Sequence, residues 1–506
     1  MKTMTQFQGE LSFGRVRIPF DVPAGSHCVT ITGTTVKKGF LYAAAYDANQ
    51  AFRGKVLFEK AHKSLTIQPK NSGLGAIDGA IPSGEWFLEL YNLEGEFRTE
   101  RAMQYQVDVL CTDELVNHFN ELGTDGIESE LELNPTVTMD HDIEFDYSHM
   151  LSSDSRWYRG DLHAHTQLSD GHNTLAAAKD IVESQGLDFF FFTEHNICQP
   201  KLPVSNQCLF LPALEVTTDL GHFNVHGPVK SLDLRNVEHS SQATMEAGLC
   251  LARSGHNGGH SSLGINHPMM KPWHWHYDQV DLSQVSTFEV CCDPTWSTSP
   301  KATEEALLVL NEMWNCGQRI TAIGGSDSHL EPHERNPKSD EPSIYGDPST
   351  FVYSHGLSGE GILSGLRNGQ VYLERRCGLK FDINLGDLLP GNDSQGQALS
   401  YRIAVTDSEN PYYAECVVDG EIVDRMALSD ELQSIHIDEG YCWCRVDIRR
   451  GDLPFSTGSN STQSSSTNNE FEGCINAVFD GKQPEFNQPL VRTWGELMER
   501  MSRDEI

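Results

Sequence analysis

Four short, mainly apolar runs in the middle of the chain each lead into a histidine or a carboxylate, and this pattern constrains the fold most. Such runs are typical of strands in a parallel sheet, which are buried on both faces. In folds built from alternating strands and helices, functional residues gather at the carboxyl ends of the strands. We therefore expect these polar residues to meet at one edge of a sheet. The pairs are residues 187–192 with His195, 209–214 with Glu215, 263–266 with His267, and 320–325 with Asp327.

Helical patterns separate these runs. Asn173 or Thr174 can cap a helix that ends before Gly186. Further helices are predicted near residues 242–253 and 302–315, the second with apolar residues at helical spacing, and shorter ones at 359–367 and 496–503. The alternation predicts an α/β fold with a parallel barrel or an open sheet.

A second polar cluster precedes the first of these helices. His163 and His165 are two residues apart, and in an extended chain such residues face the same side. Asp170 follows within one short turn. The three side chains are therefore candidates for one polar site.

The flanks of this central region read differently. Short β-rich segments between Gly, Pro and Asn predict a sandwich-like domain over residues 1–120, for which we expect packing, substrate gating or assembly. Residues 121–155 are acidic and predict a linker, followed by the α/β region at 156–377. Residues 378–506 are β-rich, with a polar loop at 456–470.

The charge of the chain restricts its partners. Its 37 basic and 72 acidic residues give a formal net charge of −35. Binding to nucleic acid or to an anionic membrane needs a basic surface, so the charge disfavours both. The N-terminus lacks an apolar leader and no window approaches a membrane span, so we expect a cytoplasmic protein. Its thirteen cysteines show no repeated zinc spacing, which favours buried reduced thiols.

The polar residues of the central region share one chemistry. Imidazole nitrogen and carboxylate oxygen, without sulfur, suit divalent ions such as Zn, Mn or Fe. The set exceeds one tetrahedral site, so it predicts two or three ions, which activate water as a hydroxide nucleophile. The nine candidate ligands are His163, His165, Asp170, His195, Glu215, His222, His267, Asp327 and His329.

The motifs around these ligands resemble those of the PHP (polymerase and histidinol phosphatase) superfamily, and most closely its CehA/McbA-type branch of metal-dependent hydrolases. The resemblance covers about residues 157–376. The motifs are His163-x-His165-Thr166, Ser169-Asp170-Gly171, Thr193-Glu194-His195-Asn196, Glu215-Val216-Thr217-Thr218, Gly221-His222-Phe223-Asn224, Asn266-His267-Pro268, Gly325-Ser326-Asp327-Ser328-His329, Tyr345-Gly346-Asp347-Pro348-Ser349-Thr350 and Leu366-Arg367-Asn368-Gly369.

The resemblance implies a distorted, seven-stranded βα barrel with a trinuclear site. It implies that Glu215 bridges two of the ions. The first ion would be held by His163, His165, Glu215 and Asp327, the second by Glu215, His222 and His267, and the third by Asp170, His195 and His329.

One candidate ligand has a competitor, and one motif residue departs from the usual pattern. His226 competes with His222, which we prefer because it fits the Gly-His-Phe-Asn motif. Glu194 replaces an aspartate found in many relatives, and we expect it to support a neighbouring ligand.

Four further residues are candidates for binding substrate or protonating a leaving group. Lys271, His274 and His276 lie in one aromatic segment, which is equally consistent with a surface loop. Arg159 precedes the first ligand pair and could bind either a phosphate or a structural carboxylate.

Together these observations predict a hydrolase that attacks a small phosphoester with metal-bound hydroxide. One alternative keeps the metals and cleaves a carboxylic ester, carbamate or amide. Another is a metal-stabilised binding or scaffold protein without turnover. The sequence leaves the oligomeric state open.

Overall fold

The computed structural model describes residues 2–36, 39–96, 102–116, 131–255, 261–454, 470–481 and 489–504. The protein is mixed α/β, rich in sheet and with few helices. It divides into two compact units. The first comprises residues 1–149, 162–263 and 327–333, and the second comprises residues 150–161, 264–326 and 334–506.

The described residues form the following strands: β1 (Lys2–Leu11), β2 (Gly14–Val22), β3 (Cys28–Thr35), β4 (Leu41–Tyr46), β5 (Phe52–Phe58), β6 (Lys63–Ile67), β7 (Gly84–Asn92), β8 (Met103–Thr112), β9 (Leu133–Pro135), β10 (Met150–Ser152), β11 (Arg156–Asp161), β12 (Phe189–Phe192), β13 (Lys201–Pro203), β14 (Leu209–Thr218), β15 (Gly221–His226), β16 (Ser262–Ile265), β17 (Thr287–Cys292), β18 (Thr321–Gly325), β19 (Ser349–Ser354), β20 (Leu357–Ser358), β21 (Val371–Glu374), β22 (Leu379–Ile383), β23 (Leu399–Val405), β24 (Tyr412–Val418), β25 (Glu421–Leu428), β26 (Gln433–Ile437), β27 (Trp443–Arg450) and β28 (Glu470–Phe479). Their α-helices are α1 (Leu175–Ser184), α2 (Ser241–Arg253), α3 (Ser299–Asn315), α4 (Gly359–Arg367) and α5 (Trp494–Asp504).

The first eight strands form two antiparallel sheets, ordered β1-β8-β3-β6 and β2-β7-β4-β5. Alternate residues of both sheets contribute to one apolar cluster, which includes Ile31, Val56, Trp86 and Val107. Burial of these side chains on one face of each sheet is what holds a β-sandwich together. We call β1–β8 with their connections the N-terminal sandwich, and the predicted extent of a sandwich-like domain over residues 1–120 stays a prediction.

The rest of the first unit is built around a parallel strand pair and a hairpin. β12 pairs in parallel with β14, and β14 turns back into β15 as an antiparallel hairpin. The phenylalanines of β12 are all buried, as expected for a parallel strand covered on both faces. Thr174 accepts a hydrogen bond from the Ala177 N–H and so caps α1. Gly186 ends that turn with φ of 68°.

The second unit contains both parallel and antiparallel pairs. β16, β17 and β18 pair in parallel, whereas β11, β19, β21, β28, β27, β24 and β25 follow one another in antiparallel pairs. A smaller antiparallel sheet has the order β22-β23-β26. An apolar cluster formed by this sheet together with β24, β27 and β28 includes Tyr401, Cys416, Val446 and Ile475. The described part of residues 378–506 is mainly strand, and its bounds as a separate region stay a prediction.

The structure refines several sequence-based boundaries. All five predicted helices form, although α3 begins three residues before the predicted segment. β14 runs to Thr218, so Glu215 lies within the strand instead of following it. The described part of residues 156–377 holds four α-helices, and the seven-stranded βα barrel stays a prediction, as do the domain boundaries. Residues 117–130 of the predicted sandwich and linker, and 456–469 of the polar loop, lie outside the described residues.

The cysteines agree with the thiol prediction. All thirteen are free, and all but Cys250 and Cys442 are buried. Among the helices that the structure describes, none is long and apolar enough to cross a membrane.

The sandwich core predicts a stability effect. Leu88 is fully buried in the apolar cluster, so Leu88→Ala should lower the free energy of unfolding by about 2–4 kcal/mol, because a cavity replaces its side chain. Met4, on β1, is 63% exposed, and Met4→Ala should change stability by less than about 0.5 kcal/mol. Urea denaturation followed by circular dichroism measures both. Equal losses in the two variants would contradict this account of the core.

Candidate metal centre

A buried carboxylate lies at the centre of the predicted site. Glu215 is fully buried, and its two oxygens face four imidazoles. Oε1 lies 3.3 Å from Nε2 of His163 and 3.1 Å from Nδ1 of His222. Oε2 lies 3.5 Å from Nε2 of His165 and 2.7 Å from Nδ1 of His195. Candidate ligands that are far apart in sequence thus converge on one side chain.

Asp327 joins the first histidine pair from another segment. Its Oδ1 lies 3.3 Å from Nε2 of His163 and 3.1 Å from Nε2 of His165. Its backbone N–H donates to the His163 carbonyl at 2.7 Å, and the His165 N–H donates to the Ser328 carbonyl at 3.2 Å. These backbone bonds align residues 327–329 beside the His163-x-His165 segment.

Asp170 organises a neighbouring group. Its Oδ1 lies 3.4 Å from Nε2 of His195 and 3.2 Å from Nε2 of His329. The ring of His165 stacks on those of His195 and His329, with centroids 4.4 and 4.2 Å away. Nδ1 of His329 lies 2.7 Å from the Asp327 carbonyl oxygen, which fixes the orientation of the ring.

Strand pairing explains why these side chains meet. His195 follows β12 and forms an isolated parallel bridge with Glu215, while Thr217 and His222 are paired across the β14–β15 hairpin. Asp170 is brought close by a tight loop. A Cβ at Gly171 would lie 2.6 Å from the His165 carbonyl carbon and oxygen, so this turn requires glycine.

Glu194 is the buried support of the same loop. Its carboxylate accepts hydrogen bonds from the backbone N–H groups of Thr166 and Ser169, at 3.2 and 3.1 Å, and from both hydroxyl groups. Burial raises the pKa of Glu194, and these hydrogen bonds partly oppose that shift. Glu194 therefore makes a supporting contact, as expected, and the residues it holds lie in the loop between His165 and Asp170.

The ionisation of the cluster follows from burial and proximity. Burial opposes ionisation of Glu215, Asp170 and Asp327, but the adjacent imidazoles outweigh it and hold the pKa of each carboxyl low. Burial, together with the charges of His329 and His195, lowers the pKa of His165 to about 3. Burial also disfavours charge on His329, yet Asp170 reverses the effect and raises its pKa to about 10.

The donor atoms fit divalent metal ions. Among the described residues of the first unit, two groups composed only of imidazole and carboxylate side chains have one ligand atom per residue within 4.8 Å of one another. Buried N and O donors of this kind suit Zn, Mn or Fe. His195 belongs to both groups, and Nε2 of His165, which belongs to the group with Asp170, also lies 3.1 Å from Oδ1 of Asp327. The groups are His195–Glu215–His222 and His165–Asp170–His195–His329.

The choice between His222 and His226 agrees with the geometry. His222 faces Glu215, whereas Nε2 of His226 lies 2.7 Å from the Leu162 carbonyl oxygen. Burial lowers the pKa of His226 to about 4. His226 is therefore a buried histidine of the scaffold.

The remaining predicted residues belong to the second unit. His267 follows β16, is buried, and donates its backbone N–H to Glu289 at 2.7 Å. Lys271 and His276 are exposed, and His274 is half-buried with its ring 3.9 Å from that of His276. Arg159 donates to the Ser349 hydroxyl at 2.8 Å and to the Gly346 carbonyl at 3.4 Å. The functional roles of these four residues and of His267 stay predictions.

Sequence reasoning missed a set of contacts from the N-terminal sandwich to the ligand loops. Phe40 lies against His195, with ring centroids 5.0 Å apart. Lys55 donates to the Asn196 carbonyl at 2.8 Å, and Lys63 donates to the Ser169 carbonyl. These residues match no motif, since their partners are more than 100 positions away.

Solved structures that are similar to this chain include the following two. One is a two-domain protein containing a predicted PHP-like metal-dependent phosphoesterase from Bacteroides vulgatus, with a TM-score of 0.34 and 16% identity over 60% of this chain and 94% of that chain. The other is the family 11 carbohydrate-binding module of a cellulosomal cellulase of Clostridium thermocellum, with a TM-score of 0.14 and 10% identity over 23% of this chain and 85% of that chain. No family model and no curated protein matches the chain. At this level of similarity neither structure indicates what this chain does.

The raised pKa of His329 predicts how metal binding depends on pH. In the metal-free protein His329 carries a proton below about pH 10, and an ion that uses its nitrogen must displace that proton. Between pH 7 and 9 the apparent affinity should therefore rise by up to about tenfold per pH unit. Competition with a chromophoric chelator, corrected for the chelator's own protonation, measures this slope.

Asp170→Asn provides the comparison, because it removes the carboxylate that raises the pKa of His329. Its affinity should be weaker and its pH slope shallower. An affinity for the wild-type protein that does not change between pH 7 and 9 would contradict the assignment.

Proposed function

We propose that this protein is a metal-dependent hydrolase, and specifically a phosphoesterase with two or three divalent ions. The observation that carries the proposal is the buried Glu215 carboxylate within 3.5 Å of four imidazoles, flanked by Asp170 and Asp327. A buried array of charged and ligating groups on this scale costs stability unless a cation or a proton balances it. Such an array is therefore better explained by a catalytic site than by packing.

The proposed ligand set follows the sequence motifs. Glu215 would bridge two ions, one with His163, His165 and Asp327 and the other with His222 and His267. Asp170, His195 and His329 would hold a third. The proximity of Glu215 to both His163 and His222 supports the bridging role. The distorted βα barrel is part of the same proposal, supported by the parallel pairs β12–β14 and β16–β17–β18.

Bound divalent ions would supply an activated water at neutral pH and would neutralise negative charge on the reacting group. The chain's own residues contribute orientation. Glu194 holds the loop between His165 and Asp170, so two ligands of different groups keep a fixed separation. Thr217, whose hydroxyl lies 2.7 Å from Nδ1 of His195, helps to orient that ring.

Exposure indicates the side from which a substrate would arrive. The side chains of His163, His165 and Glu215 are at most 1% exposed. Those of Asp170, Asp327 and His329 are 19%, 14% and 28% exposed. A phosphoester would therefore reach the centre beside Asp170 and His329, with the Glu215 carboxylate at the closed end.

Substitution of the central carboxylate tests the metal centre. Glu215→Ala should remove at least one bound ion and lower kcat/KM at least about 1,000-fold, because the contact shared by four imidazoles is lost. His333→Ala is the control, since His333 is four residues from His329 and its side chain is 78% exposed. Metal analysis and steady-state kinetics measure both effects. Full activity in Glu215→Ala would refute the bridged centre.

A matched substrate panel tests the type of bond. We expect the metal-loaded protein to hydrolyse 4-nitrophenyl phosphate with kcat/KM at least about tenfold above that for 4-nitrophenyl acetate, because a charged phosphoryl group matches a cationic centre. The reverse preference, or turnover of aryl carbamates alone, would assign the site to acyl chemistry. Turnover of no member of the panel with metals bound would favour a scaffold protein.

A further inference from the structure

Contacts from the N-terminal sandwich end on the two loops that carry Asp170 and His195. Lys63, at the start of β6, donates to the carbonyl of Ser169, the residue before Asp170. Lys55, in β5, donates to the carbonyl of Asn196, the residue after His195, at 2.8 Å. Each ammonium group thus holds the backbone next to a candidate ligand.

Apolar packing reinforces both contacts. The Phe40 ring lies 5.0 Å from the His195 ring at 38°, on the segment that leads into β4. Leu168, two residues before Asp170, is buried beside the turn at Gly75, where an added Cβ would lie 2.8 Å from Leu168 Cδ1. The sandwich therefore meets each of these loops through both a lysine hydrogen bond and side-chain packing.

Burial shows that these contacts are more than surface pairs. Lys55 is 4% exposed, and its ammonium lies over the rings of Tyr42 and Tyr91, at 5.5 and 5.8 Å from their centroids. Burying an ammonium group costs stability unless its protons are bound. The Asn196 carbonyl is one such acceptor. Replacing Lys55 removes one of the hydrogen bonds that hold the turn after His195, which also include those between Asn196 and residues of β14.

We infer that the N-terminal sandwich is a working part of the metal centre, in which Lys55 and Lys63 are positioning residues for the group formed by Asp170, His195 and His329. The inference rests on the proposed function for the presence of metal ions. The inference goes beyond the proposed function because it assigns the N-terminal sandwich a role in holding one of the metal ions. Hydrogen bonds to the backbone on either side of a ligand limit its movement and so strengthen ion binding.

The test compares two lysine substitutions with a matched third. In Lys55→Met/Lys63→Met the stems are kept and both ammonium groups are removed. Lys201→Met is the control, because Lys201 also binds the sandwich, at Ser72 and Asp78, but from β13, away from the ligand loops. The full-length proteins are loaded with Co²⁺ and dialysed. Bound metal is counted by mass spectrometry, and the visible absorption of Co²⁺ reports on ligand geometry.

We expect the double variant to bind one equivalent of Co²⁺ at least tenfold more weakly than the wild type, with an altered absorption band. Lys201→Met should keep the wild-type metal content and spectrum. Unchanged content and spectrum in the double variant would overturn the inference. An equal loss in Lys201→Met would also overturn it, since that result would show general loosening of the domain.

Lys63→Met alone covers the case in which the double variant fails to fold, because the Lys63 side chain is 16% exposed. It should weaken the same equivalent of Co²⁺, and wild-type binding would overturn the inference. Metal content is measured without turnover. A wild-type protein that binds Co²⁺ but hydrolyses no substrate would refute the proposed function while the metal counts still decide this inference, and one that binds no Co²⁺ would refute both.

Discussion

The burial of the Glu215 carboxylate is the constraint on which the rest of the central region depends. An ionised carboxylate that leaves water loses several kcal/mol of solvation, which must be recovered from nearby partners. Here the partners are imidazoles from four separate positions of the chain, one of which, His222, lies 3.1 Å from the carboxylate. Parallel pairing of β12 with β14 and the β14–β15 hairpin bring those positions within reach. The sheet and the charge cluster are therefore two aspects of one arrangement.

The same cluster contains opposing tendencies. Burial and neighbouring imidazoles keep His165 neutral, while Asp170 favours a proton on His329, although the two rings stack 4.2 Å apart. Protonation of some imidazoles thus balances the nearby carboxylates but disfavours charge on the neighbouring imidazoles. A cation between the carboxylates and neutral imidazoles would satisfy all of them, because imidazole nitrogen can then act as a ligand instead of a donor. This is the physical reason for preferring a metal centre to a network of ion pairs.

The sequence was sufficient for the parts of the site that leave a local pattern. Apolar runs followed by His195, Glu215 and Asp327 predicted that these residues would meet, and they lie within one cluster. The extent of β14 was not predicted, because the hairpin continues the strand through polar residues that read as a strand end. His222 and His226 are four residues apart on β15, so strand periodicity places both on the same side. Only their tertiary contacts separate them, and the choice of His222 therefore came from a motif.

The sequence did not predict the contribution of the N-terminal sandwich, and the reason differs from that for β14. Lys55 and Lys63 are single basic residues in β-strands, a feature that ordinarily marks a solvated edge. Their bonding partners are backbone carbonyls, which carry no sequence signal at all. Yet carbonyl partners suit this place well. A lysine paired directly with Asp170 would compete with an incoming cation, whereas one that binds the adjacent backbone fixes the ligand and leaves its charge for the ion. Before an ion binds, repulsion among the carboxylates would push the ligand-bearing loops apart. Lysines that bind the backbone outside the cluster therefore keep these loops in place until the ion arrives.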